Sequence, residues 1–435
     1  MKIEIPEAVR QIIGRLRDNG YEGYIVGGCV RDMLLGRQPE DWDITTSALP
    51  HEVKALFRRT IDTGIQHGTV PVMVDKEGYE VTTYRVDGTY SDGRHPDQVT
   101  FTPSLTEDLK RRDFTINAMA YDPQTGLVDE FGGQGDLRRG MIRCVGKAID
   151  RFSEDALRML RAIRFCAQLG FDIDEEAMAA IRVLAKNLEK VSRERVQVEL
   201  TKLLLSPRPE RIGLVYESGL APFVGEEFAC VGGGAARTRE ESARTGKEFA
   251  RVGIPALSHR IPGKKYLRWA AFLRNAGPEQ AKMVLKGLKL DNDTIAKVQT
   301  LVSWYSLPLE GEKPGIRRTM SAMGPELYGD LLDLKEALGE ANGVWPAEES
   351  GSQESGAGGI SLEQIREKSR EILADGDCLT LKELAVSGRD VMEAGNISGP
   401  SVGKYLSRLL ELVLEEPGRN TREYLLQHLS EWFIM

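Results

Sequence analysis

The chain has 435 residues, 41% of them hydrophobic and 29% charged, which is material for two to four cored domains and excludes a wholly disordered polymer. No apolar run approaches the roughly 18 residues of a membrane span, and the charged opening MKIEIPEAVRQIIGRLRDNG lacks the apolar core of a secretion signal, so the expected location is the cytoplasm. A net charge of −8 speaks against a nucleic-acid partner, yet residues 138–211 hold 16 Lys/Arg against 11 Asp/Glu, which reads as a local basic footprint or as the solvated face of helices.

In chain order, Val9, Ile12, Ile13 and Leu16 recur at helical spacing, and the run ends at Asn19-Gly20, where glycine suits a C-terminal cap. A strand Tyr24–Val26 follows and breaks at Gly27-Gly28. Next come a short helix over 30–35, a strand around Asp41–Thr45, and a helix opened by Ser47 and Pro50. TVPVMVDKEGYEVTTYRV reads as a hairpin, two period-2 runs about the turn Asp75-Lys76-Glu77-Gly78. After about residue 146 strand signals almost vanish, and EDALRMLRAIRFCAQLG, EEAMAAIRVLAKNLEKV and RVQVELTKLLL carry helical periodicity. Residues 232–246 read as an exposed Gly-rich loop and 345–359 as a flexible linker or insertion. The expected class is α+β: a head with a mixed sheet and helices over 1–145, then all-helical parts over 146–215, 216–344 and, past the linker, 360–435.

Two patterns carry chemistry. The strand running into Gly27-Gly28 and a helix with Arg31 in its opening turns suits a phosphate, because missing side chains let backbone N–H groups approach an anion. Asp41 and Asp43, at i and i+2 of the expected strand, share one face, and two such carboxylates repel unless a cation lies between them. Oxygen-only ligands suit Mg²⁺. Asp-x-Asp alone most often faces solvent and Gly-Gly alone is most often a turn; the order strand, GG, helix, DxD is far more specific. The five cysteines (Cys29, Cys144, Cys166, Cys230, Cys378) form no CxxC pair and read as reduced thiols, and the five histidines are dispersed, which gives histidine-based metal hydrolysis no support.

GGCVRDMLLGR followed by DWDIT resembles the motif shared by class II tRNA nucleotidyltransferases (CCA-adding enzymes) and bacterial poly(A) polymerases. TGIQHGTVPV, EVTTYR, DGTYSDGRHPDQVTF, TEDLKRRDFTINAMAYD, GLVDEFGGQGDL, SEDALRMLRAIRFCAQLG and VSRERVQVEL extend the resemblance, in the family's order, over residues 20–215, and the tail is similar more loosely. The resemblance implies a catalytic nucleotidyltransferase head (1–145), a nucleotide-recognition neck (146–215), a helical body (216–344) and a tRNA-binding tail (360–435). It implies Mg²⁺ on Asp41 and Asp43, with Glu80 as a third-carboxylate candidate, and ATP and CTP as substrates. Gly28, Arg31 and Arg112 then serve the nucleotide phosphates, and Asp113 reaches the ribose. Asp155 and Arg158 read the base, with Arg161 and Arg164 lining the same site. On this reading Ser153 caps the helix that carries them, and Leu157, Leu160, Ile163 and Phe165 cover its buried side.

An aspartate accepting from the exocyclic amine and an arginine donating to the ring nitrogen suit cytosine and adenine, whereas guanine and uracil leave the pair mismatched. Lys186, Lys190, Arg193, Arg195 and Lys202 are expected to meet tRNA phosphates, and residues 87–98 to support the change from C to A addition. GPSVGK (399–404) either holds a phosphate or makes a tight turn. The expected activity is template-independent addition and repair of the 3′-terminal CCA of tRNA. A-only addition, poly(A) polymerisation, a non-catalytic tRNA-binding role and nucleotidyl transfer to protein are the competitors, and a homodimer stays open.

Overall fold

The structure, a computed structural model, describes residues 4–62, 64–65, 68–88, 99–231, 257, 259–338 and 360–434. The loops expected at 232–246 and 345–359, and all but two residues of 87–98, lie outside the described residues. The chain forms two compact units, Met1–Pro255 with Gly287–Leu290 and Ala256–Lys286 with Asp291–Met435.

The first unit begins with α1 (Glu7–Asp18), whose Val9, Ile12, Ile13 and Leu16 are at most 2% exposed, and the chain turns out of it at Gly20 (φ +84°). β1 (Gly23–Val26), α2 (Gly28–Leu34), β2 (Ile44–Thr46) and α3 (Pro50–Leu56) follow. Ser47 does not open α3: its hydroxyl accepts the Glu22 N–H, and the Glu52 carboxylate instead accepts the Leu49 N–H at 2.7 Å. β3 (Thr69–Val74) and β4 (Glu77–Thr83) pair antiparallel across a turn of two residues, not four. Asp75 and Lys76 both take positive φ there (47° and 76°), the backbone sense that matches strand twist in a two-residue hairpin.

Two short strands, β5 (Arg85–Asp87) and β6 (Val99–Phe101), pair with each other; α4 (Leu105–Lys110) precedes β7 (Ala120–Asp122) and β8 (Gly126–Val128). The six-stranded sheet has the order β3-β4-β2-β1-β7-β8, parallel between β2 and β4 and antiparallel elsewhere. It is the mixed sheet expected of an α+β head. Ile25, Ile44, Val70 and Val81 bury one sheet face against the apolar side of α1 and Val53 of α3.

Beyond the sheet run α5 (Gly133–Arg139), β9 (Met141–Ile142), α6 (Ala148–Glu154), α7 (Leu157–Leu169), β10 (Asp172–Ile173), α8 (Glu175–Leu184) and α9 (Arg193–Leu204). The single helix expected from Ser153 is two. Ser153 lies inside α6, donating to the Ile149 carbonyl, and the chain breaks at Asp155 (φ −136°, ψ 104°) before α7 starts. Leu157, Leu160, Ile163 and Phe165 are buried, as the periodicity requires.

The regular elements of the second unit's described residues are all helices, from Lys265–Leu273 to Arg422–Ile434. Buried Arg317 ties it together, pairing with Asp377 at 2.6 Å and donating to the Leu414 carbonyl near the end of the helix Pro400–Glu415. Within GPSVGK, Gly399 (φ +67°) precedes that helix.

Candidate active site

Asp41 and Asp43 stand in the segment that leads into β2, whereas the strand was expected around Asp41–Thr45, and the Val26 N–H donates to the Asp43 carbonyl at 3.0 Å. Alternation sends Trp42 into the core (8% exposed) and leaves both acids exposed. Asp43 is open to solvent along the cleft yet surrounded by protein on its other sides. That desolvation raises its pKa; Arg112 opposes the rise, and Glu80 and Asp41 add to it. Neither acid has an ion-pair partner among the described residues. Two unneutralised carboxylates side by side fit a divalent cation with oxygen ligands. Glu80 is near enough to repel Asp43, but among the described residues no three His, Cys, Asp or Glu side chains are grouped to share a metal.

Asp43 borders a cleft of about 440 Å³ together with Gly27, Gly28 and Arg31. Gly27 takes φ +83°, and a Cβ there would lie 3.0 Å from Arg112 Nη1, so only glycine lets strand, turn and arginine coexist. Arg112 is anchored by Asp108, itself fully buried and also bound to Thr45 and Arg111. Its Nε is buried and has no hydrogen-bond partner. A guanidinium on the wall of a cleft beside a diglycine turn suits an anion. Arg31 clamps Asp32 in a fork (3.0 and 2.9 Å) and donates to Asn117 at 2.8 Å.

Asp113 lines the same cleft with both oxygens engaged: Oδ1 accepts from Phe114 N–H and Asn117, and Oδ2 accepts two bonds from Arg161 (2.8 and 2.6 Å). Burial pushes its pKa up, but Arg161, Arg158 and these bonds together outweigh it and hold the carboxyl down at about 2. The expected base-reading residues face the cleft too. Asp155 Oδ1 accepts the Leu157 N–H (3.0 Å) at the start of α7, and Oδ2 accepts from Arg195 (2.8 Å). Arg158 donates to Glu154 (2.7 Å) and to the Arg111 carbonyl (3.0 Å). Asp155 and Arg158 are therefore set by different partners rather than by each other.

Arg164 lies elsewhere. It stacks over Phe165 (3.9 Å to the ring centroid), pairs with Glu199 and Gln168, and borders an adjoining cleft. Arg195 was assigned to RNA phosphates, but it borders the nucleotide-sized cleft. Arg193 donates through Nη1 to the Phe223 and Val224 carbonyls. Arg195 and Glu199, one turn apart among Val196, Leu200 and Leu203, are charged positions on a largely buried helix, the one signal in the sequence that they face partners rather than solvent.

Three family models match: the Poly A polymerase head domain over 23–143, "Probable RNA and SrmB-binding site of polymerase A" over 170–230, and tRNA nucleotidyltransferase domain 2 over 263–429. The chain is 38% identical to the CCA-adding enzyme of Levilactobacillus brevis over 410 residues, covering 93% of this chain and 92% of that one. It is 38% identical to the Geobacillus kaustophilus CCA-adding enzyme over 422 residues (97% and 95%). The crystal structure of the Bacillus stearothermophilus CCA-adding enzyme in complex with CTP matches with a TM-score of 0.78 at 34% identity, covering 98% of this chain and 96% of that one. With the acid pair, the diglycine turn and the arginine-lined cleft in place, the chain belongs to the family of CCA-adding enzymes, the tRNA nucleotidyltransferases.

Proposed function

We propose that this enzyme adds C, C and A to the 3′ end of tRNA from CTP and ATP, in the cytoplasm and with Mg²⁺ on Asp41 and Asp43. The observation that carries the reading is Asp43 bordering the cleft that Gly27, Gly28, Arg112, Asp155 and Arg158 also line. The bound cation would supply Lewis acidity, lowering the pKa of the acceptor hydroxyl and clamping the triphosphate.

The chain's own groups do the rest. The Gly27-Gly28 turn admits phosphate oxygens close to the backbone, and the Arg112 guanidinium on the cleft wall supplies the positive charge they need. Asp155, fixed by Leu157 N–H and Arg195, keeps lone pairs for an exocyclic amine. Arg158, fixed by Glu154, donates to the adjacent ring nitrogen. Uracil or guanine would place a carbonyl against the carboxylate and an N–H against the guanidinium, leaving both mismatched. The acceptor 3′-oxygen then bonds to the α-phosphorus as the bond to the bridging oxygen breaks, and pyrophosphate leaves.

The test is incorporation by purified enzyme with Mg²⁺ on tRNA lacking its CCA, given CTP, ATP, both, or UTP. Two C and one A, then arrest, with UTP refused, is the expected result. A long A tail would mean poly(A) polymerisation, and use of ATP only on tRNA ending in CC would mean A-only addition; either replaces the reading.

A further inference from the structure

Three guanidiniums of the site gather round one ring. Arg31, Arg161 and Arg164 lie 5.1, 5.4 and 3.9 Å from the centroid of Phe165, all inside the roughly 6 Å over which a ring face attracts a cation. The ring is 5% exposed and borders both the arginine-lined cleft and the adjoining one. Phe114, fully buried, packs nearly perpendicular to it (81°) with centroids 5.8 Å apart, so the core holds the ring in place. Arg161 and Arg164 belong to α7, as the ring does, whereas Arg31 belongs to α2, the helix that the diglycine turn opens. Through Arg31 the ring joins the two helices that serve opposite ends of the nucleotide.

Carboxylates and ring constrain these arginines in different ways. A guanidinium is planar and carries five N–H donors at its rim. Arg31 spends two of them in a fork on Asp32 and one on Asn117, and Arg161 spends two on Asp113 Oδ2. Such bonds anchor one side of each guanidinium, and attraction to the ring resists a swing of the other side about that anchor. The swing matters because both arginines border the nucleotide-sized cleft with donors to spare.

The charges also crowd one another. Burial lowers the Arg164 pKa, Glu199 opposes that shift, and the neighbouring Arg161 adds to it. Asp32, Asp113 and Glu199 offset Arg31, Arg161 and Arg164 in turn; the ring is what all three share.

We propose that Phe165 is a positioning residue for the nucleotide: its π face holds Arg31 and Arg161 where their spare N–H groups meet the sugar–triphosphate part common to CTP and ATP. The proposal rests on the nucleotidyl-transfer reading above and adds the group that sets those arginines. Asp155 and Arg158 are held by Arg195 and Glu154 instead, so the choice of base should not depend on the ring.

The test is a series of full-length enzymes with mono-, di- or trifluorinated phenylalanine in place of Phe165, introduced by stop-codon suppression. Each fluorine drains electron density from the ring face and leaves its shape nearly unchanged. The CTP Kd, measured by calorimetry, should rise with every added fluorine, to about fivefold with three, the scale of a partly buried cation–π contact. ATP should weaken by the same factor, while the melting temperature and the preference for CTP over UTP hold. Phe165→Leu, which keeps apolar bulk without a π face, should raise both Kd values about tenfold. Affinities that stay flat across the fluorinated series overturn the proposal and leave the ring as apolar filling. A loss confined to one of the two nucleotides overturns it too, because the ring would then act on the base. The transfer reading is checked apart: an unaltered enzyme that adds no C to tRNA lacking its CCA sinks that reading, whereas one that adds C while the fluorinated series binds CTP alike sinks only the role of the ring.

Discussion

Asp43 is withdrawn from water on most sides and faces the like charges of Asp41 and Glu80, with Arg112 offsetting part of the repulsion. A carboxyl whose pKa is raised on folding costs stability above that raised pKa, and the cost fades as pH falls through it. Asp43→Asn should therefore raise the melting temperature by a few degrees at pH 8, less so in acid, while incorporation drops at least about a thousandfold; calorimetry across pH and a nucleotide-incorporation assay check the two halves. Glu80→Gln removes one repelling charge, so the Asp43 pKa should fall and the acid limb of kcat/KM should move to lower pH with activity at pH 8 retained. Collapse at pH 8 would instead make Glu80 a metal ligand. Asp155→Ala should lose discrimination against UTP while the fold persists, at a stability cost of about 1–2 kcal/mol for the vacated Leu157 N–H; unchanged CTP-to-UTP preference would discard the base-reading role. The acids and the diglycine turn were legible because their meaning lies in spacing along a few residues. The partners of Asp155 and Arg158 were not: Arg195 is 40 positions away from Asp155, and only the packing of α7 on α9 brings them together.

At the scale of elements, hydrophobic period served well where one face is buried. It gave α1, β1, the β3–β4 hairpin and the buried side of α7, since burial of those faces is what selects the element. It failed at Asp155, because the apolar spacing runs on through a break that a side-chain hydrogen bond and an ion pair create. It also misjudged the hairpin turn, which is shorter than DKEG suggests because Asp75 and Lys76 both accept positive φ without a glycine. A non-glycine residue in that region costs about 1 kcal/mol. Lys76→Gly should return about that much, read as a higher denaturant midpoint with an unchanged slope, and should leave nucleotide incorporation as it was, the turn being remote in sequence from every residue placed in the cleft. A lower midpoint would mean that the lysine side chain stabilises the turn.

Over the whole molecule, an acidic chain that must hold an RNA has to concentrate its positive charge. The excess of Lys/Arg over residues 138–211 does this against a net charge of −8. The structure divides that charge into two jobs. Arg158, Arg161, Arg164, Arg193 and Arg195 are spent inside the fold on carboxylates and carbonyls, whereas Lys186 and Lys190 stay exposed without an ion-pair partner among the described residues. Raw charge counting could not separate the two classes, because both fall on helical segments of the same stretch of chain. The division predicts how binding should respond to salt. tRNA affinity should fall steeply between 50 and 200 mM salt, and K186E/K190E should weaken it by roughly tenfold while lowering the slope of log Kd against log salt by about 2, the yield of two phosphate contacts on a duplex. CTP affinity should not follow, since neither lysine borders the cleft. A double variant with the parental salt slope would take the tRNA phosphates off this helical surface and leave the exposed lysines as solubilising charge.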